Sequence, residues 1–178
     1  MFYALAFNAN GSVLSRLEYS EDVESFPENQ IPCTEEQFLN YRDFHRINDF
    51  IVPLSSSEIL RNAMDVRVLA LRSRYLSSLQ GKLKFSTGAG VSEVFQVDDL
   101  SVKNLSDMLL AFSGTQETPD QFYWVTDNNS HVPFTYKDLQ GLASLMGTAK
   151  LGLFQHFQGK RAEIEACTTV EAVNAVQW

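Results

Sequence analysis

The spacing of apolar positions changes several times along the chain, and each change marks an element. Phe2 to Phe7 and Val13 to Tyr19 are strand-like runs around Asn10-Gly11, a pair suited to a tight hairpin turn. Ser20 to Pro32 is polar and acidic, holds Pro27 and Pro32, keeps no period, and reads as a connecting loop. Thr34 with Gln37 forms a capping box, which predicts a short helix to about His45 that buries Phe38, with Leu39 and the Arg42 stem. Asn48 to Leu54 is a short apolar stretch interrupted by Pro53, and Ser55 with Glu58 then opens a helical run to about Gln80. Ile59, Ala63, Val66 and Ala70 form one stripe on that run, and Leu60, Met64, Val68, Leu71 and Tyr75 form its neighbour. An apolar arc so wide predicts two packing partners.

Gly81 suits the residue that closes this helix. Lys82 to Ser86 and Val91 to Val97 follow as strands joined by Thr87-Gly-Ala-Gly90, and Ser101 reads as the cap of a helix to Ala111. Phe122-Tyr-Trp-Val125 is an aromatic strand, Asp127-Asn-Asn129 a turn, and His131 to Phe134 a return strand. Pro133 cannot donate to a ladder, which places that strand at an edge or marks where it leaves the sheet. Thr135 with Asp138 caps a long helix from Tyr136, whose Leu139, Leu142, Met146, Ala149 and Leu153 share a face extended by Phe157 and Ile164. Gly141, Gly147, Gly152 and Gly159 interrupt it, so the helix either breaks near Gly152 or Gly159 or uses its glycines for close packing. Thr168 with Glu171 opens a short terminal helix, and Trp178 folds back as an apolar anchor.

Helices do not alternate one by one with strands, so the fold class is α+β: antiparallel hairpins with packed helices, a long C-terminal helix and a short terminal one. The expected organisation is an N-terminal module over 1–54, a connecting helix over 55–80 and a C-terminal α+β domain over 81–178.

Charge and chemistry narrow the function by exclusion. The 178 residues carry a formal net charge of −8, which disfavours phosphate binding; Arg61, Arg67, Arg72 and Arg74 scatter around a helix among apolar residues. No run is apolar enough for a membrane helix, and Met1 to Phe7 lacks the basic start of a signal peptide. The expected place is therefore the cytoplasm, with Cys33 and Cys167 as reduced thiols. His45, His131 and His156 have no metal-ligand spacing, and neither cysteine stands in an activating context. Thr87-Gly-Ala-Gly90 lacks the lysine and helix of a phosphate loop, and Asp98-Asp99 and Asp127-Asn-Asn129 read as cap and turn residues rather than cation ligands. No catalytic residue, metal site or cofactor is assigned, and the chain reads as a non-enzyme.

Several motifs together resemble a domain of uncharacterised function at the C-terminal end of small bacteriophage and prophage proteins, encoded near tail and tail-fibre components. They are Phe122-Tyr-Trp-Val-Thr-Asp-Asn-Asn129, Val132-Pro-Phe-Thr135 with Asp138-Leu139, Gly159-Lys160 through Ile164, Ala166, Thr168-Thr-Val-Glu171, Ala175 and Trp178. The resemblance covers about Val68 to Trp178, and the first strand pair is similar to the start of some tail-fibre assembly proteins. It implies a phage tail accessory role, as a fibre-assembly chaperone or minor tail component, in the host cytoplasm or the virion tail. The partner would be a tail fibre or other tail protein, and both a homo-oligomer and a monomer fit the pattern. Phe122, Tyr123, Trp124, Phe134 and Trp178 are the candidate partner-binding residues, against their ordinary role as core. An inhibitor of a host defence protein is the alternative, although the acidic residues do not form a phosphate-like array.

Overall fold

The computed structural model describes residues 2–20 and 25–178 and has the α+β architecture expected, in two compact units. The first comprises residues up to Met64 with Thr168–Val170; the second comprises Asp65–Cys167 and Glu171–Trp178.

In the first unit, β1 (Phe2–Phe7) is the centre of a three-stranded antiparallel sheet, between β2 (Val13–Tyr19) and β3 (Gln30–Cys33). β3 occupies the end of the expected loop, whose residues 21–24 lie outside the described residues. Pro32 lies opposite Ala4 on this edge strand, where a missing N–H is tolerated. The β1–β2 turn is longer than the two-residue turn expected. Asn8 O accepts from Gly11 N–H, the Asn8 side chain accepts from Asn10 and Ser12 N–H, and only Gly11 takes a positive φ, 84°. Gly11 is required there twice over, because a Cβ would also lie 2.5 Å from the Arg46 carbonyl oxygen.

The Thr34–Gln37 capping box forms as expected, but α1 (Glu35–Leu39) stops after five residues. A 3₁₀ turn over Tyr41–Asp43 then leads into β4 (Phe44–Ile47), which pairs with β5 (Phe50–Pro53). His45 is therefore a strand residue rather than a helical one. The competing force is β-propensity: Phe44 to Ile47 finds an antiparallel partner in Phe50–Pro53 through the positive-φ residue Asn48.

α2 (Ser56–Ser78) starts at Ser55, whose N–H donates to Glu58 Oε2 at 2.8 Å. Of its two apolar stripes, the one from Leu60 to Tyr75 is half-buried with Leu71 buried, while Val66 and Ala70 of the other are exposed, as are Leu69 and Leu76 outside both.

The second unit contains two hairpins, β6 (Lys82–Ser86) with β7 (Ser92–Gln96) and β8 (Tyr123–Val125) with β9 (His131–Pro133). α3 (Asp99–Ala111) joins them. Its cap is Asp98, three residues before the expected Ser101: the Asp98 carboxylate accepts from Ser101 N–H at 2.8 Å.

α4 (Tyr136–Glu165) runs unbroken through all four of its glycines, and α5 (Val170–Ala175) follows. Gly141 is the one that packing requires, since a Cβ there would lie 3.0 Å from the Phe85 ring. Around Gly147, Gly152 and Gly159 there is open space.

Phe95, Val97, Leu105, Val132, Phe134, Leu139, Leu142 and Met146 form one core drawn from both hairpins, α3 and α4. Asp138 ties this core to the N-terminus of α4. Its carboxylate accepts from Thr135 N–H at 2.9 Å, Thr135 Oγ1 at 2.6 Å and Gly88 N–H at 2.7 Å, so one side chain fixes the helix start and the β6–β7 turn together. At the other end of the unit, the Arg67 guanidinium donates to the Val176 carbonyl, and Tyr75 stacks on Phe157 at 5.1 Å.

Candidate functional site

The turn between β8 and β9 sets the register of the aromatic strand. Thr126, buried, accepts from Ser130 N–H with its hydroxyl oxygen, and Asn129 takes the positive φ of 62° that closes the turn. Thr126 N–H donates to Ser130 O and Phe134 N–H to Phe122 O, which places the hydrogen-bonded pairs at 122–134, 124–132 and 126–130. Pro133 therefore falls where an N–H would face away from β8, and its ring costs the ladder nothing.

Alternation then divides the aromatic residues. Phe134 is only 3% exposed and packs on Phe95 at 5.4 Å, edge to face. Its expected partner-binding role is thus corrected: the ring is core and has no surface to offer. Phe122 and Trp124 are half-buried, with Phe122 against Phe112 at 5.5 Å and Trp124 against Phe134 at 6.4 Å. Tyr123, on the opposite face, is 47% exposed and stacks on His131 with ring centroids 4.0 Å apart. Trp178 lies elsewhere, half-buried edge-on against His156 at 4.8 Å and near Tyr75. The five candidates are therefore not one surface: Phe122 and Trp124 share one face of β8, Tyr123 lies on the other, Phe134 is core and Trp178 lies apart.

Beside this strand a cleft of about 380 Å³ opens between β8, the end of β7 and α3. Phe122 to Thr126 border it on one side, Asn104, Asp107 and Met108 of α3 on another, with Gln96 and Asn129 at its ends. Gln96, Asn104 and Asp107 were not among the sequence candidates. Asn104 and Asp107 do lie three apart on α3, so the helical period puts them on one face, but no sequence signal says what that face meets.

The electrostatics of the unit are local. Hydrogen bonds from Lys82 and Gln96 hold the Asp127 carboxyl below its usual range, outweighing a partial loss of water. Burial works to raise the Asp138 carboxyl, yet the hydrogen bonds from Thr135 and Gly88 together outweigh it and leave the group lowered. In the first unit burial pushes the Cys33 thiol up to about 11, which keeps it protonated and unreactive at neutral pH. Among the described residues, no group of three or more histidine, cysteine or acidic side chains is placed to hold a metal ion, and no helix is long and apolar enough to cross a membrane.

A two-hairpin α+β module whose core is closed by α3 and α4, with a cleft along its aromatic strand, is the class that this geometry defines. The chain belongs to the family described as a domain of unknown function (DUF4376), whose model matches residues 65–177 and so begins where the second unit begins. No curated protein and no solved structure matches it.

Proposed function

We propose that the chain is a phage tail accessory protein that acts by binding another protein, as a tail-fibre assembly chaperone or a minor tail component. The resemblance of Phe122–Asn129, Val132–Thr135 and the α4–α5 residues to phage tail-associated proteins supports the tail assignment. The observation that carries binding, rather than catalysis, is the composition of the cleft. Its walls are an aromatic strand, Phe122 to Val125, and a mostly polar helix face, a composition suited to holding a peptide.

A fibre-assembly role suits such a surface. Unassembled fibre ends expose apolar residues and open strand edges that pair wrongly if left uncovered. An acidic protein presenting a half-exposed aromatic cleft can cover such an end until the trimer closes.

Co-expression with a phage tail-fibre protein tests this reading. Soluble, trimeric fibre only in the presence of the chain is the expected result, and mass spectrometry of purified particles then separates a released chaperone from a retained component. Fibre that folds equally well without it, with no complex recovered, overturns the tail assignment.

A further inference from the structure

The geometry points to strand addition: an extended, basic segment of a partner polypeptide docks on the open edge of β8 inside the cleft. This deepens the proposed binding role, and rests on it, by naming how the partner is held.

The ladder defines the edge. Phe122, Trp124 and Thr126 direct their backbone groups to β9, so the N–H and C=O groups of Tyr123 and Val125 point the other way, and the sheet ends there. Five successive residues, Phe122 to Thr126, border the cleft. Neighbouring side chains of a strand point to opposite faces, so consecutive residues share one space only along the strand's edge.

The far side of the cleft is similar. β6 and β7 bond through the pairs 81–97 and 87–91, which by the same alternation turns the backbone groups of Val94 and Gln96 away from β6. One backbone bond, from Asp127 N–H to Val94 O at 2.8 Å, joins the two hairpins, and the Lys82 and Gln96 side chains donate to the Asp127 carboxylate beside it. Beyond it no ladder forms between β7 and β8, and Gln96 lines the cleft. Two hairpins thus meet at one point and leave a gap edged by unspent backbone groups.

Such an edge recognises an extended backbone, with alternate side chains reaching into the pockets beside it. Met108, Phe122 and Trp124 offer an apolar seat for one of those side chains. The volume, about 380 Å³, is near the lower end of the range of about 300–1,000 Å³ for small-ligand sites, and suits a few residues of chain rather than a folded element.

Charge selects the sign of the occupant. Asp107 is the one charged residue lining the cleft; its Oδ2 holds Lys103 at 2.6 Å, and Oδ1 has no partner among the described residues. The unit that holds the cleft is only weakly acidic, with a net charge of about −2, so the unpaired Asp107 oxygen, rather than the overall charge, favours a basic side chain in the occupant.

Amide exchange and chemical shifts of the full chain, with capped synthetic heptapeptides as probes, test the inference. The probes alternate valine and threonine between two lysines; one control carries two glutamates instead, and another is N-methylated on every residue between the lysines, which blocks both edges. In the free protein, the Tyr123 and Val125 amides exchange about 100-fold faster than that of Trp124, which the ladder protects. The lysine peptide shifts Tyr123, Val125 and Gln96 and slows the exposed amides by about tenfold. The glutamate peptide binds about tenfold more weakly, in line with the Asp107 carboxylate that lines the cleft. The N-methylated peptide, which cannot complete the ladder, does not bind.

Val125→Pro removes only an outward N–H and abolishes binding with the Trp124 amide still protected. Equal binding of the N-methylated peptide, shifts confined to other surfaces, or no shift with any probe overturns the inference. So does protection of Tyr123 and Val125 that grows with protein concentration, which would give the edge to a second copy. If the edge fails while fibre still co-purifies, the partner is held by another surface and the binding role stands; if both fail, that role falls too.

Discussion

The two units solve the burial problem differently. In the first, the buried apolar residues among those described are Ala4, Leu5, Ala6 and Phe7, all on β1; in the second they come from α2, β7, α3, β9, α4 and α5 and include eight in one cluster. A core drawn from many elements fixes their relative positions, and that rigidity is what a recognition cleft needs. The first unit depends instead on local backbone devices, above all Gly11, the Asn8 turn and the Arg46 N–H donated to Gly11 O.

The largest separation between the units is expected from core truncation. Both tryptophans, Trp124 and Trp178, lie in the second unit, so tryptophan fluorescence reports on that unit alone. Leu142→Ala, at a site with no exposure, lowers the stability read by fluorescence by about 3 kcal/mol. Leu5→Ala, equally buried, leaves that transition within about 0.5 kcal/mol, as independent sites do. A Leu5→Ala effect as large as that of Leu142→Ala would abolish the distinction.

Asp138→Ala is next, at about 2–3 kcal/mol in urea unfolding, because it strands the N–H groups of Thr135 and Gly88 at once. Its pH dependence follows from the lowered carboxyl. A group whose folded pKa lies below its unfolded value stabilises fully above the unfolded value, about 4, and loses that contribution as pH falls through the folded one. The unaltered chain therefore loses stability on acidification below about pH 4, and Asp138→Ala flattens that limb.

In the first unit, Gly11→Ala costs at least about 2 kcal/mol, from a positive φ and from the collision with Arg46 O, and is read as loss of β1–β2 amide protection. The smallest effect has the opposite sign. Gly152→Ala on α4 stabilises the fluorescence transition by up to about 1 kcal/mol, since the position is helical and open. A destabilisation there would mean that the glycine is needed for something other than helix geometry.

The same contrast explains what was legible in the sequence. Wherever a local pattern and its capping chemistry agreed, as at Thr135–Asp138 on α4 or around the Asp127–Asn129 turn, the element could be read directly, though not the strand register. The reading failed where strand pairing competed with a local signal: the helix begun by Thr34 ended at Leu39, short of His45, and Phe44–Ile47 pairs with Phe50–Pro53 instead. The glycines of α4 carried no mark to separate tolerance from packing, and only the Phe85 ring singles out Gly141.

At the candidate site, the aromatic strand was visible and its surroundings were not. Phe134 could not be told from Tyr123 without the ladder, although Pro133 held a clue, since proline fits only an outward-facing position. Gln96, Asn104 and Asp107 come from elements distant in sequence, and no local period brings them to Trp124.

Site-directed photocrosslinking during co-expression with the tail-fibre protein tests the central claim, that the chain binds a protein through the β8 cleft. A benzoylphenylalanine at Tyr123, Phe50 or Leu69 samples the cleft, the first unit and the bare face of α2, all of them exposed positions. The account predicts a covalent adduct with the fibre from position 123 and none from 50 or 69. Adducts from 50 or 69 with none from 123 would contradict it.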